Sequence, residues 1–191
     1  MSTGKMKLGL TALVAGLALG ASHAWSGGGY QVTYGFGQPA SEAEIAALAI
    51  AIPPDGEHLP PGSGTWEQGK QVYVEKCAAC HGEQLEGVKE TGGDPLIGGR
   101  GSLDSGSPKK TVESFWPYAT TVFDFVRRAM PFAEPGSLTD DEVYAVTAYI
   151  LAEGDIIAKD QMMNAETLPK VQMPNRDGFI PDPRPDVFNY N

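Results

Sequence analysis

The chain has 191 residues and a formal net charge of −10 at pH 7, from 24 acidic and 14 basic side chains. This length suits one domain with extensions rather than several domains. The acidic balance argues against nucleic acid as a partner, because a negatively charged surface repels a polyanion. Two explanations of the acidity stay open, namely attraction to a basic docking patch on a partner protein and simple solubility.

The first 24 residues have the pattern of a secretory signal peptide. Lys5 and Lys7 precede an uncharged apolar run over residues 8–20, and the small residues Ser22 and Ala24 stand at the two positions that a signal peptidase recognises. The run is shorter than the roughly 20 residues of a membrane-spanning helix, which favours cleavage after Ala24 over an uncleaved anchor. We therefore expect a periplasmic protein with no membrane span in the mature chain.

Residues 25–64 predict an N-terminal extension with little regular structure, rich in glycine and aromatic residues in its first part. Within it, the capping-box pattern Ser41-Glu-Ala-Glu44 predicts a short helix to about Ala49. Ile45 and Leu48 have the spacing of an inward face on that helix. Paired prolines end the helix, and a proline-rich loop follows.

Residues 65–154 predict a helical domain, and its first helix begins with a second capping pattern, Thr65-Trp-Glu-Gln68. Small or apolar residues then recur on one face of this helix, at Gly69, Val72, Tyr73 and Cys77.

A second helix is predicted between two prolines. Pro117 suits the first turn of a helix, and Pro131 stops it because proline disfavours a helical residue directly before it. Val122, Val126 and Ala129 form the predicted inward stripe.

The third helix of the domain starts at the capping box Thr139-Asp-Asp-Glu142 and stops at Gly154. Its predicted stripe consists of Val143, Val146 and Ile150. Residues 155–191 hold five prolines and few periodic apolar residues, which predicts a Pro-rich C-terminal tail, either wrapped on the surface or partly disordered. The fold class is therefore mostly α with much irregular chain.

The motif Cys77-Ala-Ala-Cys80-His81 carries the chemistry. Two thiols three positions apart on a helical turn can both add to the vinyl groups of one haem, and the next imidazole then lies beneath the iron. A zinc site needs further ligands at matching spacing, and the chain has only two cysteines. A redox dithiol is typical of a βαβ context that this sequence does not predict. The motif therefore predicts one covalent haem c with His81 as an axial ligand.

Met130 is the predicted second axial ligand. It ends the second helix, and Pro131 imposes an extended backbone there that can turn the thioether toward the iron. Met173 also precedes a proline but lies in the tail, and any methionine can instead fill the core. His58, in a proline-flanked polar loop, is predicted to be solvated. A pair of His81 and Met130 would saturate the iron and raise its reduction potential, which predicts one-electron transfer rather than bond-making chemistry.

Further candidate residues follow from the needs of a bound haem. The Nδ1 proton of His81 needs an acceptor, and the carbonyl of Pro95 is a candidate. Propionates near a protein interior need hydrogen-bond donors or cations, for which Arg100, Trp116 and Tyr118 are candidates. Core packing is the alternative for Trp116.

Together these residues resemble a class I c-type cytochrome. Gly69 and Tyr73 stand as in the N-terminal helix of that family, whose glycine lets the C-terminal helix cross closely. Pro95-Leu96 and Met130-Pro131 fall where the family has its proximal loop and its methionine ligand. The resemblance covers residues 65–153. It implies the class I cytochrome c fold, three to four helices around one covalent haem, here with long irregular N- and C-terminal extensions.

A narrower resemblance covers most of the mature chain. Five segments carry it: YGFGQP (34–39), LPPGSGT (59–65), PLIGGRGSL (95–103), FWPYATTVFDFVRRAMPF (115–132) and MPNRDGF (173–179). In these segments the chain resembles the cytochrome subunit of Sox-type sulfane and sulfite dehydrogenases. In that family a molybdenum-cofactor subunit oxidises the sulfur compound and a downstream cytochrome receives the electrons. The best-known members carry two haem modules, whereas this chain has one CxxCH motif.

The resemblance implies an electron-transfer protein that is not an enzyme by itself, with a molybdenum-cofactor dehydrogenase subunit and another cytochrome as partners. A stand-alone haem enzyme of the peroxidase or thiosulfate-oxidising type is the alternative. It requires an open or thiolate-ligated iron, and the sequence has no cysteine beyond the motif to supply a thiolate.

Overall fold

Helices dominate the computed structural model, which describes residues 36–48 and 50–180. The mostly helical fold confirms the predicted fold class, and the predicted signal peptide lies outside the described residues. No helix in the described part of the chain is long and apolar enough to cross a membrane. The described helices are α1 (Glu42–Leu48), α2 (Trp66–Lys76), α3 (Ala78–His81), α4 (Ala119–Ala129) and α5 (Asp140–Glu153).

Helix α5 is the centre of the fold. Its sequence predicts a single apolar stripe, but the structure buries every residue from 143 to 152. Helix α2 packs on one side of it and α4 on another, while the chain after α5 returns to cover more of its surface. A helix buried all round needs apolar or small residues at nearly every position, and this segment has them.

Helices α2 and α5 cross at a glycine. A side-chain carbon built on Gly69 would overlap the backbone carbonyl of Ala145 and lie 2.8 Å from Cβ of Tyr149. Tyr73, one turn further along α2, is fully buried, and its ring packs against the Tyr149 ring with centroids 5.1 Å apart. The close crossing of these two helices is therefore possible only with glycine at position 69.

Both predicted capping boxes within the domain are present, one at the start of α2 and one at the start of α5. The Thr65 hydroxyl accepts from the Gln68 amide, and the Thr139 hydroxyl accepts from the Glu142 amide, with the reciprocal side-chain bonds also made. The hydrogen bonds from Thr139 hold the pKa of the Glu142 carboxyl below its ordinary value. These caps satisfy amide groups that the first turn of each helix leaves unpaired.

The start of α4 differs from its prediction. The helix begins at Ala119, with Tyr118 as an extended N-cap residue, so Pro117 precedes the helix instead of occupying its first turn. Val122 and Val126 are buried as predicted, whereas Ala129 is only half-buried. Proline fixes its own backbone angle equally well in an extended approach to a helix, and the sequence pattern does not separate the two cases.

Helix α1 forms where its capping box predicts, but the predicted inward face was wrong. Ile45 and Leu48 are 54% and 83% exposed. The anchor of this region is Ile52 instead, which is buried and whose amide donates to Asp124 Oδ1 at 3.2 Å. Apolar spacing identifies a helical face but does not report whether another element lies against it.

The described part of the tail, residues 155–180, packs on the helices and also contributes to the core, through Met163, Leu168, Val171 and Met173. A two-residue strand in the tail, β2 (Met163–Asn164), pairs antiparallel with β1 (Ser63–Gly64), with Gly64 opposite Met163. The sequence did not predict this sheet, because two residues are too few to display strand alternation.

We expect Gly69→Ala to destabilise the protein by about 1–3 kcal/mol, the usual cost of overpacking a close contact. Alanine favours a helix by up to about 1 kcal/mol over glycine, so a net loss would show that the clash with the Ala145 carbonyl outweighs propensity. Denaturant unfolding of the holoprotein measures the difference. Gln71→Ala, at an exposed position of the same helix, is the matched control and should change little.

Candidate haem-binding site

One tight turn presents both thiols and the imidazole. Cys77 caps the end of α2, with its amide bonded to the Tyr73 carbonyl at 2.9 Å. The amides of Cys80 and His81 both donate to the Cys77 carbonyl, at 3.1 and 2.9 Å. The turn therefore fixes the spacing of the three side chains through backbone bonds, and α2 in turn is fixed by its crossing with α5.

Backbone contacts also orient the His81 ring. Its Nδ1 lies 2.8 Å from the carbonyl oxygen of Asp94. Because a carbonyl can only accept, the proton belongs on Nδ1, and Nε2 is left with a free lone pair for a metal. The predicted acceptor, the carbonyl of Pro95, was wrong by one residue. The peptide group after Pro95 turns its N–H to the Leu85 carbonyl, through the amide of Leu96 at 2.8 Å.

Beside this turn lies an apolar cavity of about 400 Å³. Its size is within the range of pockets that enclose small organic ligands. The two cysteines, His81, Trp116 and Met130 all line it, so the structure brings together five of the predicted site residues. The remaining lining residues come from α2, the loops on either side, α4 and its end, and α5: Lys76, Thr91, Gly92, Gly93, Leu96, Val112, Val122, Phe125, Val126, Pro131, Phe132, Ala133, Val146 and Ile150.

Met130 leaves α4 as the sequence predicts. Its backbone is extended, with φ −123° and ψ 149°, directly before Pro131. His58 is exposed, and Met163 and Met173 are buried in the core without lining the cavity. Among the described histidines and methionines, the cavity is lined by His81 and Met130 alone.

Three predicted residues do not line this cavity. Pro95 is one, and Tyr118 packs under the guanidinium of Arg176, 5.0 Å from the ring centroid. Arg100 pairs with Glu113, with Nε 2.6 Å from Oε1, and donates to the Gly154 carbonyl. The charge of Arg100 is therefore already balanced by a half-buried carboxylate, which sequence spacing did not indicate.

Burial raises the pKa of one thiol and one hydroxyl near the site, those of Cys77 and Tyr73. Burial, and next the neighbouring Cys80, raises the pKa of the Cys77 thiol to about 11, so the thiol is neutral at pH 7. Burial, and next the nearby Cys77, raises the pKa of the Tyr73 hydroxyl well above its ordinary value. The Tyr73 hydroxyl therefore stays protonated and donates to the Gly82 carbonyl at 2.7 Å, one residue after the motif.

The donor set fits haem c. Cys77 and Cys80 would hold the porphyrin through thioether links, and the apolar walls from α4 and α5 suit its faces. An imidazole nitrogen and a thioether sulfur are ligands that haem iron accepts. The bound group supplies one-electron redox chemistry, while the protein contributes attachment, an oriented ligand and an enclosure that keeps water away.

From the sequence, the glycine-rich stretch 82–110 was expected to loop over one haem face, but the residues that face the motif across the turn were not named. Val88 and Gly93 pair through two backbone bonds of 2.9 and 3.2 Å, and the Val88 amide also donates to the Cys80 carbonyl at 3.0 Å. Thr91 and Gly92 line the cavity beside them. The glycine pair after the motif was the available signal, since glycine marks places where backbones approach closely.

We expect Gly93→Ala to lower the haem content of the purified protein and to reduce its stability by about 1–3 kcal/mol. A side-chain carbon there would overlap the Cys80 carbonyl and lie 3.2 Å from Cys80 Cα, displacing both the motif and the adjoining Asp94 carbonyl. The ratio of haem absorbance to protein concentration and a thermal melt measure the two effects. Gly106→Ala, which meets nothing within 4 Å, is the control. An unchanged haem content would show that the turn can shift to accept the side chain without impairing haem attachment.

Comparison with known proteins agrees with a haem c site. Residues 66–153 match the family model described as Cytochrome c. A chain in the crystal structure of the sulfane dehydrogenase SoxCD from Paracoccus pantotrophus is 40% identical, with a TM-score of 0.71. That match covers 83% of this chain and 76% of the other.

Curated relatives match over shorter stretches. A thiosulfate dehydrogenase of Stutzerimonas stutzeri (strain A1501) is 33% identical over 93 residues, which cover 48% of this chain and 28% of the relative. A thiosulfate dehydrogenase of Psychrobacter arcticus is 31% identical over 86 residues, covering 44% and 24%. This chain thus spans about a quarter of the length of these relatives. The motif, the cavity and the matches agree, and the chain belongs to the cytochrome c family and carries one covalently bound haem c.

Proposed function

We propose that this cytochrome transfers one electron at a time through an iron ligated by His81 and Met130. The presence of both residues on the wall of one cavity carries this proposal. With both axial positions filled by protein, the iron has no position for a substrate, which suits electron transfer. The extended backbone at Met130 supports the assignment, because it frees the side chain from the helical surface of α4.

We further propose that the electron donor is the molybdenum-cofactor subunit of a sulfane or sulfite dehydrogenase in the periplasm, and that another cytochrome is the acceptor. Similarity to a chain of a sulfane dehydrogenase over most of both lengths supports this donor. The pattern of the first 24 residues supports export. The net charge of −10 favours a partner surface that is basic.

In this proposal, electrons reach the haem at the solvent-exposed opening of the cavity, where Phe132 and Ala133 lie. Phe132 lies two residues after Met130, lines the cavity and is 84% exposed. Its neighbour Ala133 is exposed as well. An apolar rim beside a redox centre lets a partner approach without stripping water from charged groups.

A stand-alone thiosulfate-oxidising enzyme is the second candidate, favoured by the two thiosulfate dehydrogenase relatives. It requires an iron with an open or readily displaced ligand. Thiosulfate-dependent reduction of the haem by the isolated protein, together with rapid carbon monoxide binding, would support this alternative. We expect neither.

We expect Met130→Ala to open the iron to carbon monoxide and to lower the reduction potential. The fall should be on the order of 0.1 V, a fraction of the roughly 0.8 V that axial ligands span. Spectroelectrochemistry and carbon monoxide difference spectra measure the two changes. Met162→Ala, at an exposed methionine, should match the unaltered protein in both. If Met130→Ala kept the ligand field of the unaltered protein, the ligand assignment would be wrong.

We expect the tagged holoprotein to co-purify from periplasmic extract with molybdenum in a fixed ratio to haem, and the complex to reduce the haem when sulfite or a sulfane compound is added. Phe132→Ala should slow that reduction severalfold, while Val74→Ala, an exposed apolar residue of α2 that does not line the cavity, should not. Haem without molybdenum, and no sulfur-dependent reduction, would count against the proposed donor.

A further inference from the structure

A short stretch of the tail contacts the residues that precede α4. The side-chain amide of Asn175 donates to the backbone carbonyl of Phe115 at 2.7 Å, across 60 residues of sequence. The ring of Phe179 meets the ring of Phe115 nearly edge-on, with centroids 5.2 Å apart. The guanidinium of Arg176 lies over the Tyr118 ring, 5.0 Å from its centroid. Three contacts from five residues of the tail therefore converge on four residues before the helix.

Trp116 lies between the two contacted residues and lines the haem cavity. Its ring packs edge-on against Phe125, another lining residue, with centroids 5.6 Å apart. On the N-terminal side, the Phe115 amide is bonded to the Thr111 carbonyl at 3.0 Å. On the C-terminal side, residues 116–118 donate no backbone hydrogen bond to a described residue before α4 begins at Ala119. The tail supplies the missing restraint at the peptide group that connects Phe115 to Trp116.

The tail segment is itself held in place. Met173 is buried in the core, and the Arg176 amide donates to its carbonyl at 3.1 Å. The Gly178 amide donates to the Asn175 carbonyl at 3.1 Å, which closes a second turn. A side-chain carbon on Gly178 would lie 2.6 Å from Cγ of Asn175 and would overlap its amide oxygen. The Asn175 amide therefore occupies the space that a side chain at position 178 would fill.

We propose that the tail segment 173–179 forms an outer layer of the haem cavity wall, and that Asn175 is the residue that positions Trp116 against the haem. Removing its hydrogen bond leaves the Phe115 carbonyl without this partner, so the segment 115–118 opens more often and water reaches the cavity. This inference rests on the bound haem c but not on the electron donor proposed above, since it concerns only the wall of the site.

Hydrogen exchange and the reduction potential test this role in the holoprotein. We expect Asn175→Ala to raise the exchange rate of amides in residues 112–118 by about fivefold, the effect of losing one net hydrogen bond. The potential should fall, because water near the haem stabilises the ferric form, which carries one more positive charge. Asn175→Asp, nearly the same shape but unable to donate when ionised, should behave in the same way.

Two further variants separate positioning from simple surface cover. Gly178→Ala should reproduce both effects, because it displaces the Asn175 amide without touching the cavity wall. Gln172→Ala, at an exposed amide of the same tail that bonds only to the nearby Lys170 carbonyl, should change neither quantity. If the Asn175 and Gly178 variants match Gln172→Ala in exchange and in potential, the proposal is overturned.

The unaltered holoprotein gives a test that needs no variant. If the tail restrains the cavity wall, residues 173–179 and 112–118 should open together and show the same free energy of exchange. Exchange of 173–179 at the rate of an unstructured peptide, while 112–118 stays protected, would overturn the proposal even if every variant failed to fold.

Discussion

The close contact between the backbones of α2 and α5 determines where the rest of the haem site lies. With glycine at position 69, α2 lies against the Ala145 backbone of α5 with no side chain between them. That crossing sets the direction in which α2 ends, and α2 ends in the turn that carries both thiols and His81. It also brings Val146 and Ile150 of α5 to the cavity that the turn faces. The haem site therefore depends on the absence of a side chain at Gly69, because the attachment turn and part of the cavity wall belong to the two helices that cross there.

Local signals were the reliable part of the sequence. The capping boxes at Thr65 and Thr139 each specify a hydrogen-bonded pair within four residues, and both form as predicted. The extended backbone at Met130 followed from Pro131, whose effect on backbone angles is local as well. The spacing of the two cysteines and the histidine likewise concerns a single turn, which is why the haem c prediction was confirmed.

Errors arose wherever the answer depended on what another part of the chain supplied. Arg100 stays a predicted propionate partner, but the sequence did not indicate its ion pair with Glu113. The carbonyl of Asp94 replaced that of Pro95, because the direction of a peptide group depends on a partner elsewhere, here Leu85. Ile45 and Leu48 had a helical spacing without a surface to pack on. Residue spacing reports periodicity within an element and carries no information about distant partners.

The pairing of β1 with β2 has a consequence for the order in which the chain becomes structured. Ser63 pairs with Asn164, and α2 packs against α5, so both closures join residues that are far apart in sequence. Contacts of such long separation form late, because the entropy of closing a large loop must be met before any contact rewards it. A chain emerging from its N-terminus therefore presents Cys77 and Cys80 on an unclosed segment until the residues of α5 and β2 have followed. Until then neither closure limits access to the two thiols. In the closed fold Cys77 is half-buried while Cys80 stays exposed, so closure restricts access mainly to the first of them.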